Sequence, residues 1–460
     1  MSDSQKISPA FESFLSKAGP DDRREAIVFS RGPDRNDKPL RGSLRRLKTR
    51  LDYIKQMAHA QQSVQPAVAA SYRRAVKSMA PKTGTLDVES VAHGVIPVQM
   101  MQVTRRTLKA LADDPRIVAV MPNQKVHLIR PKEVDYHALI KDERNQESTW
   151  GLRQLGIPKL WETTKGKDIR VAVLDTGVHG PHSVFRRNGD TAIEQFVMID
   201  PLGRRITTDA AFDGDQHGTH VCGTIAGGKV EAKISVGVAP EAKLLVAAVL
   251  VGNATLRTVI EGIAWAAEHG ADIINMSLGF TYYEPKFGEI FQWILDEYGI
   301  LPVVSVGNEN HGNASCPGNI YNALSVGAVE KLRGPGGKLG VTAFSSGASL
   351  VFPGEQPPLV TKPDVAAPGH QVLSAIPPQD QPDGGIVDFA YMSGTSMAAP
   401  HVAGVAALLL SAKPAATVQQ VIEAMKDTAS HPAGDDLRPD NRWGMGLIQP
   451  AAALDALEGT

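Results

Sequence analysis

Three short segments carry side chains whose types and settings could do chemistry. In Val171-Ala-Val-Leu-Asp175-Thr-Gly-Val178, an aspartate closes an apolar run and Gly177 supplies a turn. Such a carboxylate lies at the carboxyl edge of a buried strand, where α/β sheets gather their working groups; a plain strand-end aspartate reads the same. In His217-Gly-Thr-His220-Val-Cys222-Gly-Thr-Ile-Ala-Gly227, a histidine opens a helical stretch whose glycines permit close packing. That setting suits an imidazole that must reach out of the fold, although a structural histidine also fits. The His-x-x-His spacing suggests metal but lacks the glutamate of the zinc-protease motif, so no metal is expected there. In Ser393-Gly-Thr-Ser396-Met-Ala-Ala-Pro400, Ser396 precedes an apolar helix. Backbone N–H groups and the helix dipole favour developing negative charge at such a place, and a simple N-cap is the alternative.

Together, in the order Asp, His, Ser, these segments resemble the subtilisin-like serine proteases over roughly residues 150–455. The resemblance implies that Asp175 orients the imidazole, His217 acts as general base and then acid, and Ser396 is the nucleophile. A serine hydroxyl attacks poorly until a positioned base takes its proton. Val304-Ser-Val-Gly-Asn308 matches the family's strand-end Gly-Asn, which implies that Asn308 is a side-chain oxyanion donor, with the Ser396 N–H as its companion. Ser277, Leu278 and Gly279 resemble the strand that pairs with an extended peptide, largely through main-chain bonds. The strand carrying Val304 and Gly307 would wall the P1 pocket, with Ser315 near its base; a small serine there leaves room for a large apolar or extended P1 side chain. The implied activity is a serine endopeptidase working through an acyl-enzyme on protein or peptide substrates. Its rivals are a peptide-binding pseudoprotease and an active, unprocessed protease with a permanent regulatory N-terminal domain.

Those residues need a doubly wound, mainly parallel α/β sheet to bring them together. Candidate strands 169–175, 243–251, 272–279, 301–308 and 323–330 are near-continuous apolar runs, as strands buried on both faces require. Helical stretches such as 254–269 alternate with them. The first 130 residues read instead as a small α+β, ferredoxin-like module of βα(ββ)αβ type. Its expected strands are 24–30, 95–101 and 117–121, with a capped helix over 104–112. Ser43 is the expected cap of a helix carrying Leu44, Leu47, Leu51, Ile54 and Ala58, which Pro66 should interrupt before a second run to Met79. Asp113-Asp-Pro-Arg-Ile-Val-Ala-Val-Met-Pro122 resembles the helix-to-strand signature of the family's inhibitor-type propeptides. The resemblance implies a chaperone and cis inhibitor over 1–130, a linker with a processing site over 131–149, and a catalytic domain over 150–460. Trp150-Gly-Leu-Arg-Gln resembles a mature N-terminal segment, which places processing between about residues 130 and 149.

Composition narrows the rest. The chain has 460 residues, a formal net charge of −1 and two cysteines, which rules out a disulfide framework. Residues 1–130 carry 23 Lys and Arg against 12 Asp and Glu, and the remainder 25 against 37. A basic arm often means nucleic acid, but no aromatic interleaving or nucleic-acid fold signature accompanies it. Opposite halves suit mutual docking better, and such docking should weaken with salt. The cluster Arg45, Arg46, Lys48 and Arg50 reads as a solvated helix face, with docking to the acidic domain second. No apolar run is expected to span a membrane. The N-terminal residues lack the layout of a signal peptide, so a cytoplasmic location is expected. Subtilisin-like enzymes often hold calcium, but position 184 is valine and the following loop carries Lys229 and Lys233, so the usual ligand positions are not matched. Cys222 reads as a buried packing residue.

Overall fold

The computed structural model describes residues 6–19, 22–33, 39, 44–79, 88–136, 143, 145–280, 284–332, 338–351, 359–381 and 384–457. A nine-stranded sheet forms its centre. Six strands run parallel in the spatial order Ile193–Ile199, Lys243–Ala248, Arg170–Asp175, Ile273–Met276, Leu301–Ser305 and Leu324–Lys331. Val365–Pro368 pairs parallel with the last of these, and antiparallel strands Arg205–Ile206 and Leu339–Val341 close the edges. The chain thus starts in the middle at Arg170–Asp175, winds one way and then the other. The expected strands are present, mostly with shorter bounds: 243–251 ends at Ala248 and 301–308 at Ser305. The 272–279 run breaks at Ser277, its last two residues leaving the central sheet, and Ile193–Ile199 lies outside the strands expected.

Alternation along one strand sorts the core. Val171 and Val173 face one apolar cluster, which contains the helix Thr395–Ala412; Ala172 and Leu174 face the other. That helix is long and apolar enough to cross a membrane, contrary to expectation, yet 89% of it is buried inside the fold. Its hydrophobicity is the price of a position covered on every side.

The N-terminal module forms a four-stranded sheet ordered Val88–Ser90, Val98–Val103, Arg24–Ser30, Ile117–Pro122. With the helices Leu47–Met79 and Arg105–Asp113 it has the expected βα(ββ)αβ succession. Thr104 caps the second helix through the Thr107 N–H. Ser43 lies outside the described residues. The helix break predicted at Pro66 is not found: Leu47–Met79 is one element with the proline inside it. Gln65, Val68, Ala69 and Tyr72 are buried around the proline, so tertiary packing offsets the lost backbone bond.

One face of this small sheet, including Ile27, Phe29, Met100 and Met121, joins the core of the larger domain through Ile260, Ile290 and Phe291. The other face packs under Phe11, Val68, Leu108 and Leu111. The basic cluster is corrected in part: the side chains of Arg45 and Arg50 are only 7% and 1% exposed and both contact Asp272, whereas Arg46 and Lys48 are exposed, as expected of a solvated face.

Candidate active site

Asp175 is the last residue of its strand and is fully buried. Gly177, two residues on, has φ +117°, and a Cβ there would stand 2.1 Å from the Phe212 carbonyl. Gly218 answers it: a Cβ on that residue would stand 2.1 Å from the Gly177 carbonyl oxygen. Two glycines in contact therefore bring the start of the helix His217–Ala226 against the end of the Asp175 strand. His217 Nδ1 lies 2.8 Å from Asp175 Oδ1, and the Thr176 N–H donates to the same oxygen at 2.8 Å. Among the described residues, Nε2 of His217 makes no hydrogen bond.

Burial pulls the His217 pKa down. The charge and hydrogen bond of Asp175, with Asp213 and Asp215 nearby, outweigh it and leave the pKa above the ordinary 6.5. His220 behaves oppositely. Fully buried, with Nε2 on the carbonyls of Val372 and Ala390, its pKa is pushed down to about 3. It is a structural histidine beside a differently tuned one.

Ser396 is the second residue of Thr395–Ala412 and is buried. Its Oγ donates to the Ile129 carbonyl at 2.8 Å and lies 3.4 Å from the Ser277 carbonyl. Asn308 follows the Leu301–Ser305 strand, and its Oδ1 accepts from both Thr395 N and Thr395 Oγ1 at 2.9 Å. The amide orientation is thereby set, because an oxygen with two donors leaves the NH2 aimed the other way. Nδ2 donates to the Arg130 carbonyl at 2.9 Å.

The acceptors belong to a segment of the chain that runs through the site. His127–Leu128 pairs antiparallel with Leu278–Gly279, and Glu133–Asp135 pairs with the strand Ile386–Ser393. Lys132 N donates to the Ser393 carbonyl at 2.7 Å. Ile129 is 9% exposed and would be 3.0 Å from a Cβ on Gly279; Arg130 turns outward to Asp215 at 3.3 Å. The two carbonyls divide the site: Ser396 touches that of Ile129, and Asn308 that of Arg130.

Comparison with known proteins assigns a family to this fold. The family described as the Subtilase family, peptidase S8, matches residues 166–446. The chain belongs to the subtilase family. It is 34% identical to fervidolysin of Fervidobacterium pennivorans over 73% of its own length. It is 33% identical over 62% of its length to an intracellular serine protease of Paenibacillus polymyxa, covering 78% of that protein. The crystal structure of fervidolysin, described as a keratinolytic enzyme related to subtilisin, superposes with a TM-score of 0.66 at 27% identity. That match covers 95% of this chain and 62% of that one. The chain spans about half the length of fervidolysin, 48% of it in the sequence match.

The other sequence-predicted residues of this subtilase fall in two groups. Ser277, Leu278 and Gly279 lie beside the threaded segment, with Ser277 Oγ donating to the Ser396 carbonyl at 3.1 Å. Gly307, at φ +113°, faces Ser315, whose Oγ would be 2.7 Å from a Cβ there. Val304 is fully buried in the apolar cluster that also holds Leu278 and Cys316. Two positioning residues went unread. Asp213 accepts from Thr176 Oγ1 at 2.6 Å and from Thr219 N and Oγ1 at 2.7 and 2.6 Å, tying the histidine helix to the aspartate strand. Thr395 sets the Asn308 amide. Both lie within four residues of a catalytic-type side chain, the signal that could have found them.

The carboxylate expected of a calcium site at position 184 is absent. Val184 is 3% exposed in the core, and no group of three or more His, Cys, Asp or Glu among the described residues could hold a metal ion. Cys222 is fully buried in the same core, its thiol pushed up by burial.

Proposed function

We propose that the chain is a serine endopeptidase made as a zymogen, with Asp175, His217 and Ser396 as triad and Asn308 as oxyanion donor. The observation that carries this reading is the threaded segment: the Ser396 hydroxyl and the Asn308 amide both donate to consecutive main-chain carbonyls of one extended strand.

In catalysis, His217 Nε2 takes the Ser396 proton as Oγ attacks a peptide carbonyl. Asp175 holds the other ring nitrogen, fixing the tautomer and stabilising the imidazolium. The oxyanion lies against Asn308 Nδ2 and the Ser396 N–H at the helix start. His217 then protonates the leaving amine, and water repeats the sequence on the acyl-enzyme.

The segment over 127–135 acts as a cis inhibitor. No carbonyl in it meets both the serine and the amide donor. Ser396 points at Ile129, the oxyanion donor is taken one residue later, and attack at Arg130 would expel the ring nitrogen of Pro131. The Ser396 proton is donated to a carbonyl and not to His217, so the nucleophile is unactivated. Inhibition ends when this segment is cut or displaced, and processing between residues 130 and 149 releases the cleft. Ile129 in the occupied cleft supports an apolar P1 residue. A cytoplasmic location is also part of this reading.

The test compares the unaltered chain with Ser396→Ala by fragment size and by labelling with a serine-directed fluorophosphonate. Labelling and self-cleavage that both vanish in Ser396→Ala are expected. Labelling without any shortening would refute processing, and no labelling of the unaltered chain would refute the protease.

A further inference from the structure

The N-terminal module touches the larger domain at a place far from the cleft. Asp272 stands just before the strand Ile273–Met276, at the opposite end from Ser277. Five residue steps along the strand separate the two, about 16 Å. Arg45 Nη1 and Arg50 Nη1 both reach Asp272 Oδ1, at 2.6 and 2.9 Å. The second guanidinium nitrogen of Arg50 donates to the Gly270 carbonyl at 2.7 Å. Asp272 Oδ2 accepts from the Arg170 N–H at 2.9 Å, which fixes the carboxylate on its own domain. Burial raises the Asp272 pKa, but the two guanidinium charges hold it below the usual carboxylate value.

Shape accompanies charge. Gly270 has φ +78°, and a Cβ there would lie 2.2 Å from Leu47 Cδ1, so its bare backbone is the seat for the first turn of the long helix. Further along, the Tyr53 ring meets Tyr298 at a tilt of 73°, and its hydroxyl donates to Glu297 at 2.9 Å. None of these groups touches Ser396, His217, Asn308 or residues 127–135.

We infer that residues 44–53 and the Asp272 end of the sheet form a latch independent of the cleft, which keeps the N-terminal module bound as a resident subunit after the inhibitory segment has been cut or displaced. The inference rests on the zymogen reading. Inhibition is then switched at residues 127–135 while attachment is governed elsewhere. Because the ion cluster is buried, attachment is also nearly insensitive to salt.

The test uses the full chain with Ser396→Ala to prevent self-cleavage and a site-specific protease sequence inserted after the exposed Tyr136. After nicking, dissociation of the module is followed on dilution. Arg45→Met with Arg50→Met leaves Asp272 buried without a countercharge, its one remaining bond the Arg170 N–H, and the loss of a buried pair's partner predicts release faster by about 100-fold or more. Ile129→Glu loosens the cleft segment, which stays on the module after this nick, and should speed release only by about the tenfold that it opens the cleft, well short of the double variant. Equal release rates for the double variant and the parent overturn the latch, as does release driven mainly by Ile129→Glu. If the double variant does not fold, Gly270→Ala blocks the Leu47 seat from the other side and should speed release in the same way. Fluorophosphonate labelling of the same variants with Ser396 intact separates the two claims. Normal labelling with no latch effect refutes the latch alone, and no labelling refutes the reading beneath it.

Discussion

Replacing Asn308 by leucine removes one hydrogen-bond donor from the cleft and keeps most of the side-chain volume. Asn308 is 2% exposed, its Oδ1 is held by two bonds from Thr395, and its Nδ2 stands 2.9 Å from a carbonyl oxygen. A donor fixed before the reaction begins costs nothing to orient when the carbonyl becomes an oxyanion. Loss of such a donor is worth about 2.7–4 kcal/mol, or roughly 10²–10³ in kcat. Since the bond strengthens as charge develops, kcat should carry the loss and KM should change little. The substitution also strands the buried Thr395 N–H, at about 1–3 kcal/mol of stability. Thermal unfolding must therefore show a folded protein before rates are compared. The assay is hydrolysis of a chromogenic peptide by processed protein, with kcat and KM determined separately. A kcat within about tenfold of the parent, or a loss carried by KM, would refute the assignment of Asn308. Thr395→Val, which removes one of the two bonds orienting the amide, should give a smaller fall in kcat of about 3–10-fold at unchanged KM.

Other predictions follow from single contacts. Asp175→Asn should cut kcat by about 10⁴-fold. It should also move the acid limb of the pH–rate profile to lower pH, because Asp175 is the largest influence raising the His217 pKa; an unmoved limb contradicts its role. In the parent, activity falls as pH drops through that raised pKa, since the base must be neutral. Ile129→Glu puts a charge in the apolar part of the cleft and should raise peptidase activity of the uncut chain by about tenfold or more; unchanged activity would show that the segment does not inhibit. Glu284, buried on the larger domain, receives the Ser8 hydroxyl at 2.6 Å, and burial pushes its pKa up to about 7. The Ser8 bond favours the carboxylate but burial outweighs it, so docking that buries Glu284 favours the acid: this contribution is fully present below about pH 4.5 and is lost as pH rises through 7. Protection factors of residues 6–11, from hydrogen exchange corrected for its intrinsic rise with pH, should fall over that window in the parent and stay flat in Glu284→Gln.

Short-range chemistry was legible in the sequence because type and spacing determine it. A strand-end aspartate, a Gly-flanked histidine and a helix-start serine each state a local geometry, and apolar runs state the parallel sheet beneath them. Long-range choices were not. Pro66 carries a helix-breaking local signal, which packing on both sides overrides. Arg45 and Arg50 look like ordinary surface cations until the fold brings Asp272, more than 200 residues away, against them. The charge asymmetry pointed to docking but not to its form. One buried cluster supplies it, whereas the exposed pair Arg257–Glu89 runs the other way, with its cation on the acidic domain. The division of the Ile129 and Arg130 carbonyls between Ser396 and Asn308 depends on register, which no local pattern encodes.

The most direct measurement is mass-spectrometric mapping of a fluorophosphonate adduct on the full chain and on Ile129→Glu. A single adduct on Ser396, faint in the first and strong in the second, is predicted, with none in Ser396→Ala. Absence of adduct in both, or an adduct that survives Ser396→Ala, would contradict a serine protease held shut by its own chain.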